Sequence, residues 1–328
     1  MSNQGSHVKT PLIASPEFVG GSYGGWVTLL PSSWVPYIQL TRLNISAPIA
    51  LSCFPHLFGV IHAAATDKQQ YHNPMEILHI SALLFGWTLF CSNAGHAWDD
   101  LIDAHLDAQM ERTKHRPIPR GAISPYAALT FSVMSIICAS VFLFFLPVMT
   151  AWTVIPSVLS AIYYPWAKKH TPFPQLILGF CLAWGVMVGK VSLTGYEWKS
   201  DNGSVISLML AYMFAIVIYD TIYAHQDIND DLELGLGSTA VLFRNHTKRA
   251  LFSLTICMTV ALIFCGVLGG MGFCYLMITV GGSLMSVGIM LYKVDLNDRA
   301  SCWLWFSMGF WTTMLSITIG LLSEYMLK

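Results

Sequence analysis

Charge is scarce in this sequence: Asp, Glu, Lys and Arg make up 11% of its 328 residues, and the formal net charge is −1. That scarcity excludes a nucleic-acid partner, because phosphate binding needs a basic excess. A single soluble domain is excluded too, since 55% hydrophobic residues and a mean hydropathy of +0.57 leave more apolar surface than one core can hide. Lipid must cover the remainder. The eight cysteines form no Cys-x-x-Cys pair and lie mostly inside apolar runs, so they read as small buried side chains rather than a disulfide framework or zinc site.

The first 35 or so residues contain one Lys, one Glu and no Arg among Ser, Gly, Pro and Thr. A mitochondrial transit peptide would be Arg-rich and amphipathic, and a signal peptide would carry an early apolar stretch behind a positive start. Neither pattern is present. Residues 1–36 are therefore expected to form a flexible leader and 37–328 a single membrane domain, entering the endoplasmic reticulum membrane through its first span.

A helix needs about 20 apolar residues to cross the hydrocarbon core, where unpaired backbone groups are too costly. Nine segments qualify: Ile45 to Ala65, Ile77 to Ala97, Pro125 to Leu146, Val148 to Tyr164, Phe173 to Leu193, Ser204 to Tyr223, Ala250 to Gly269, Gly272 to Tyr292 and Cys302 to Tyr325. The fold expected is an all-α membrane bundle. Only Pro147 separates the third span from the fourth. The leader and even-numbered loops hold Lys9, Arg42, Arg112, Lys114, Arg116, Arg120, Lys168, Lys169, Arg244, Lys248, Arg249, Lys293 and Arg299. The other side holds only Lys68, Lys199 and Lys328. This asymmetry places the first side in the cytoplasm.

Two acidic clusters emerge on that basic side. Asp100, Asp103 and Asp107, preceded by Asp99, fall at i, i+3 and i+7 at the end of the second span. Asp220, Asp227 and Asp231 follow the sixth span close to one stripe. Helix ends meeting water commonly carry one carboxylate. Several stacked on one face repel unless a cation neutralises them, and acids near membrane depth are functional by default. Oxygen ligands without a Cys or His cage select a hard cation, and Mg²⁺ typically combines one or two carboxylates with phosphate oxygens. A diphosphate substrate follows. Arg112, Lys114 and Arg116 beside the first cluster, with Lys168 and Lys169 after the fourth span, are the cations to hold it and to stabilise the departing charge.

These residues resemble the UbiA superfamily of intramembrane prenyltransferases from about Tyr37 to the last span. The family's Asn-Asp-x-x-Asp-x-x-x-Asp segment is matched by Asp99-Asp100-x-x-Asp103-x-x-x-Asp107, and its Glu-Arg-Thr-Lys-x-Arg-Pro run by Glu111 to Pro117. Tyr219-Asp220-x-x-Tyr223-Ala-x-x-Asp227-x-x-Asp230-Asp231, closing on Gly237-Ser238-Thr239-Ala240, looks equally typical, as does Tyr164-Pro165-x-x-Lys168-Lys169 with Pro174, Gln175 and Gly179. The resemblance implies nine helices around a central cavity open laterally to lipid. It adds Tyr164 to Lys114, Arg116, Lys168 and Lys169 as catalytic groups, and puts Mg²⁺ on Asp99, Asp100, Asp103, Asp107, Asp220, Asp227 and Asp231.

Three departures stand out. Asp99 replaces the usual Asn, Lys169 replaces a common Arg, and Ile45-Ser46-Ala47-Pro48 replaces the Lys-Pro-x-Gly of aromatic-acceptor members. The last lies near the expected acceptor contacts Arg42 and Asn44. Lys190, inside the fifth span near Gly185 and Gly189, either pairs or snorkels structurally, or contacts an anionic or phenolic acceptor. Among Trp98, Tyr163, Tyr164, Trp184 and Tyr223, some cavity aromatic should face the allylic cation.

The resemblance implies Mg²⁺-dependent transfer of a polyprenyl group, with farnesyl diphosphate the expected donor, to a polyketide-derived phenol at the start of a meroterpenoid. A 4-hydroxybenzoate polyprenyltransferase of the ubiquinone pathway is the alternative, and a terpene cyclase a further one. A cation transporter could also place carboxylates at helix ends, but has no use for the basic run at Arg112 to Arg120.

Overall fold

A computed structural model describes residues 25–67, 70–195 and 202–328. Most of the leader, with Lys9, and also Lys68 and Lys199, lie outside the described residues. Among those described, all regular structure is helical. A 3₁₀ turn at Gly25–Leu29 and the short α1 (Val35–Leu40) precede Arg42.

The long helices follow from caps and breaks written in the sequence. α2 is Ser46–Thr66. α3 (Pro74–Asp107) begins where Asn73 accepts a hydrogen bond from the Glu76 N–H, with Pro74 at the first helical position. α4 (Pro125–Leu143) starts the same way on Ser124. At 34 residues, α3 is about 51 Å long against a hydrocarbon core of about 30 Å, so its acidic last turns project past the apolar span.

The expected fourth span is kinked: Val154 joins its two pieces in a helical conformation, its N–H on the Thr150 carbonyl and its own carbonyl accepting from the Val158 N–H. Pro147 caps α5 (Val148–Thr153), and Pro156 starts a new helix, α6 (Ile155–His170), so neither piece alone reaches spanning length. The fifth is two helices, α7 (Pro174–Ala183) and α8 (Gly185–Thr194), joined at Trp184. α9 is Gly203–Ala224; the short α10 (Ile228–Leu234) and α11 (Thr239–Phe243) lead to α12 (Thr247–Gly269). α13 (Phe273–Tyr275) passes through a π-helical stretch at Leu276–Gly281 into α14 (Gly282–Lys293), and α15 is Arg299–Leu327, capped by Asp298. Eight apolar helical segments among the described residues are long enough to cross a bilayer, and the α5–α6 pair occupies the place of the ninth.

Large apolar side chains such as Phe144, Phe252, Val267 and Met285 face outward, as expected of a lipid-covered surface. Inside, α9 packs on α12 and α7, α3 on α4, and α2 on α8. Glycine makes the last contact possible: a Cβ on Gly59 would lie 2.0 Å from the Val186 carbonyl oxygen, and one on Gly189 2.1 Å from that of His56. The main core joins Leu208, Tyr212 and Ile216 of α9 to Phe310 and Met314 of α15. A second cluster, including Val60, Leu84, Trp87, Val154 and Val188, fills the bundle on the side away from the acidic helix ends.

Candidate active site

The last turns of α3 carry four aspartates that the protein already pairs with cations. Arg116 reaches Asp100 Oδ1 at 3.1 Å and Asp107 Oδ2 at 2.9 Å through one Nη1. Arg42 donates to Asp100 Oδ1 at 2.9 Å and lies 3.8 Å from Asp99. Lys168, near the end of α6, donates to Asp103 Oδ2 at 2.6 Å. Asp100, Asp103 and Asp107 are each buried. Burial works against the Arg116 cation, but Asp100 and Asp107 outweigh it and hold the guanidinium above its ordinary pKa.

The second cluster is drawn to the first by Arg112. Its guanidinium forks onto Asp227, donates to the Tyr223 hydroxyl at 3.1 Å and stacks 5.3 Å over the Tyr223 ring. Asp231 accepts from Ser238 at 3.4 Å. The loop after this cluster docks on the end of α6: the Gly237 N–H donates to the Lys168 carbonyl at 2.9 Å, and a Cβ on Gly237 would lie 2.6 Å from the Thr171 carbonyl oxygen. Gln175, buried at the start of α7, accepts from the Thr239 N–H at 3.1 Å.

These groups close the polar end of a cavity of about 370 Å³. Arg42, Asp99, Asp107, Arg112, Arg116, Tyr164, Lys168, Asp220, Asp227 and Asp231 line it, while Asp100 and Asp103 sit behind them in ion pairs. Toward the apolar end the lining includes Leu51, Trp87, Val158, Leu178, Leu182 and Ile216.

Besides Asp100 and Asp103, four expected site residues lie off the cavity wall. Asn44 and Lys169 are exposed. Lys114 bonds the exposed Glu111 at 2.6 Å; that hydrogen bond holds the Glu111 carboxyl below its usual range. Lys190 donates to Asn202 instead. Of the aromatics considered, Tyr164 and Tyr223 reach the cavity. Trp98 bonds the Ile162 carbonyl, Trp184 that of Thr153, and Tyr163 contacts His170.

Sequence reasoning missed Trp303 and Phe306, which stack on each other at 5.7 Å and line the cavity beside Tyr223. Their i, i+3 spacing in an apolar span reads the same whether it faces lipid or ligand. His96 was also missed, although its place one turn before Asp100 on a cavity-facing helix was a usable signal.

Among the described residues no three His, Cys, Asp or Glu side chains form a ready metal cage. A hard cation such as Mg²⁺ takes few protein ligands and completes its shell with phosphate and water. Asp99 Oδ1 and Asp103 Oδ1 are buried without a hydrogen-bond partner, so carboxylate oxygens remain free for it. The donor set fits Mg²⁺.

A bundle of bilayer-spanning helices that gathers acids and bases at one end of an apolar chamber defines an integral membrane protein with one cavity charged at one end and apolar at the other. The chain belongs to the UbiA prenyltransferase family, which its residues 52–314 match, and is a prenyltransferase. The polyprenyl transferase ausN of Emericella nidulans is 35% identical over 262 residues, covering 80% of this chain and 78% of its own length. The DMOA farnesyltransferase nvfB of Aspergillus novofumigatus is 29% identical, covering 93% of this chain and 96% of its own. The mitochondrial 4-hydroxybenzoate polyprenyltransferase of Schizosaccharomyces pombe is 31% identical, with 89% and 80% covered. In fold the chain is similar to a UbiA homolog from Aeropyrum pernix K1, at TM-score 0.66 and 21% identity, covering 85% of this chain and 98% of that one. A UbiA homolog from Archaeoglobus fulgidus bound to DMAPP and Mg²⁺ superposes at TM-score 0.57 and 14% identity, with 85% and 99% covered.

Proposed function

We propose that the enzyme transfers a farnesyl group from its diphosphate to a polyketide-derived phenolic acceptor, as the first terpenoid step toward a meroterpenoid. The observation that carries this reading is a single cavity whose charged end pairs acids with Arg112, Arg116 and Lys168 and whose other end is apolar. A diphosphate head with a prenyl tail has that polarity. The farnesyl choice draws support from nvfB, named a DMOA farnesyltransferase, and a phenolic acceptor from the relative named a 4-hydroxybenzoate polyprenyltransferase.

Asp99, Asp103 and Asp107, with Asp220, Asp227 and Asp231, would hold Mg²⁺, which when bound neutralises diphosphate charge. Arg112, Arg116 and Lys168 take up the charge that grows on the leaving oxygen as the allylic C–O bond breaks. Tyr223, Trp303 and Phe306 line the cavity, and an aromatic ring presented face-on there stabilises a cation. A carbon of the electron-rich ring then forms the new C–C bond, and the ring proton leaves to the departing diphosphate. The chain supplies positioning and electrostatics and forms no covalent intermediate.

The acids lie at the end that also carries Arg42, Arg112, Arg116, Arg120, Lys168 and Lys169, which supports an active site facing the cytoplasm from the endoplasmic reticulum membrane. The S. pombe relative favours 4-hydroxybenzoate as a second reading. Membranes containing the enzyme, given Mg²⁺, labelled prenyl diphosphates of several lengths and a panel of phenolic acids, test both. Farnesyl transfer to an alkylated phenolic acid is expected; transfer to 4-hydroxybenzoate alone would select the second reading, and no diphosphate release with any phenol would end both.

A further inference from the structure

Most glycines inside the described helices sit where another atom leaves no room for a side chain. At Gly86 an added Cβ would lie 2.2 Å from the Phe142 ring, at Gly309 2.5 Å from Met290 Sδ, and at Gly320 1.9 Å from Thr279 Oγ1. Gly95 is different. It lies well inside α3, lines the cavity, and an added Cβ would meet nothing within 4 Å. Gly288 shares this freedom but is exposed on α14 and does not line this cavity. Glycine within a helix is destabilising relative to alanine, and here no packing contact requires it. The space it leaves belongs to the cavity.

The depth of that space follows from helix register. Lys168 meets Asp103 at 2.6 Å and Trp98 Nε1 meets the Ile162 carbonyl at 3.1 Å, so α3 and α6 run side by side in the same direction. Asp99 is then level with Tyr164. One turn further in, about 6 Å, Gly95 is level with Ala161, which also lines the cavity. Two neighbouring walls thus lose their side-chain bulk at the same depth, just below the carboxylates and above the apolar end. A diphosphate held by the acids puts its reacting carbon near this level.

The neighbouring residue supplies a polar wall. Arg42 bonds His96 Nδ1, and a guanidinium can only donate, so the neutral imidazole accepts there and carries its proton on Nε2. That Nε2 is buried with no hydrogen-bond partner. We propose that Gly95 and Ala161 form the slot that admits the flat ring of the aromatic acceptor, with the His96 Nε2–H available to a phenolic or carboxyl oxygen. Gly95 is a positioning and specificity residue, an assignment that rests on the aromatic-acceptor reading. It takes no part in the electron flow.

The test compares wild type, Gly95→Ala and Gly95→Val with Mg²⁺ and farnesyl diphosphate, using an unsubstituted and a ring-methylated phenolic acid. Because misfit of one or two methyl groups is worth roughly 10- to 200-fold in kcat/KM, Gly95→Val should lose that much for the methylated acceptor and less for the smaller one. The donor KM should stay within about twofold. Gly95→Ala should keep or raise the thermal midpoint in detergent while acceptor kcat/KM falls, a combination that a packing glycine would not give. A lowered midpoint in Gly95→Ala, unchanged acceptor kinetics in both variants, or a rise confined to donor KM would overturn the slot. Wild type that turns over no phenolic acid would end the acceptor reading itself, whereas active wild type with unaffected variants ends the slot alone.

Discussion

Arg112 and Asp227 form a fork between groups 115 positions apart: Nε lies 2.9 Å from Oδ1 and 3.0 Å from Oδ2, and Nη2 lies 2.6 Å from Oδ2. The pair ties the basic segment after α3 to the acids after α9, so the two clusters face one cavity. Each side chain is 9% exposed. Removing one partner of such a pair leaves an uncompensated charge, which costs about 3–5 kcal/mol. Arg112→Ala is therefore expected to lower both thermal midpoint and turnover, and Arg112→Lys to recover charge without the planar fork. The Arg112→Ala, Asp227→Ala double variant should regain much of the midpoint and none of the turnover. Midpoints for the double variant that fall by the sum of the single losses would show that the pair does not act as a unit.

Asp103→Ala and Asp227→Ala should each lower turnover by about 10²- to 10³-fold or more, as expected for loss of a group aimed at charge in the transition state. Insertion into membranes should persist, because neither residue lies in the apolar core. EDTA should silence wild type and added Mg²⁺ restore it. Full activity of either variant would remove that residue from the metal site, and EDTA-resistant turnover would remove the metal.

The acidic clusters were legible because like charges repeat at helical spacing beside basic residues, a pattern with few purely structural causes. Span positions were legible from length and hydropathy, and α2, α3, α9, α12 and α15 begin or end close to where they were expected. The kink within the fourth span was not. Pro147 and Pro156 are nine positions apart, and sequence does not say whether a bundle tolerates a kink or forces a break. Trp303 and Phe306 were invisible for a related reason. An apolar residue facing lipid and one facing a substrate tail obey the same hydropathy, and only the packing of α15 against α9 separates them.

Lys168 and Lys114 are predicted to part company. Lys168 lines the cavity and touches Asp103, whereas Lys114 is half-exposed on Glu111. Lys168→Ala should lower kcat by about 10²-fold with little change in acceptor KM, since it acts on developing charge. An exposed ion pair contributes about 0–1 kcal/mol, so Lys114→Ala should change kcat by less than about tenfold. Steady-state kinetics on both variants decide this. Equal kcat losses would bring Lys114 to the diphosphate during turnover.

Lys190 carries the last prediction, because geometry favours the structural side of the choice its sequence left open. α7 and α8 run away from the acids, and Lys190 lies 15 residues beyond Gln175, about 22 Å along the helix pair. Its ammonium donates to Asn202, which is buried. Next to it, Ser204 donates to the Cys265 carbonyl at 2.7 Å, so the 2.7 Å contact between Ser204 and His62 must be donated by His62 Nε2. Lys190 thus belongs to a polar cluster joining α2, α8, α9 and α12 at the end of the bundle opposite the acids. Lys190→Met should lower the thermal midpoint, since it removes a hydrogen bond from a charged donor, worth about 1.5–3 kcal/mol. Acceptor and donor kinetics should stay within about twofold of wild type once folded protein is equalised, because no reacting group lies near. A tenfold rise in acceptor KM at unchanged midpoint would instead return Lys190 to the acceptor site and require a second entrance to the cavity.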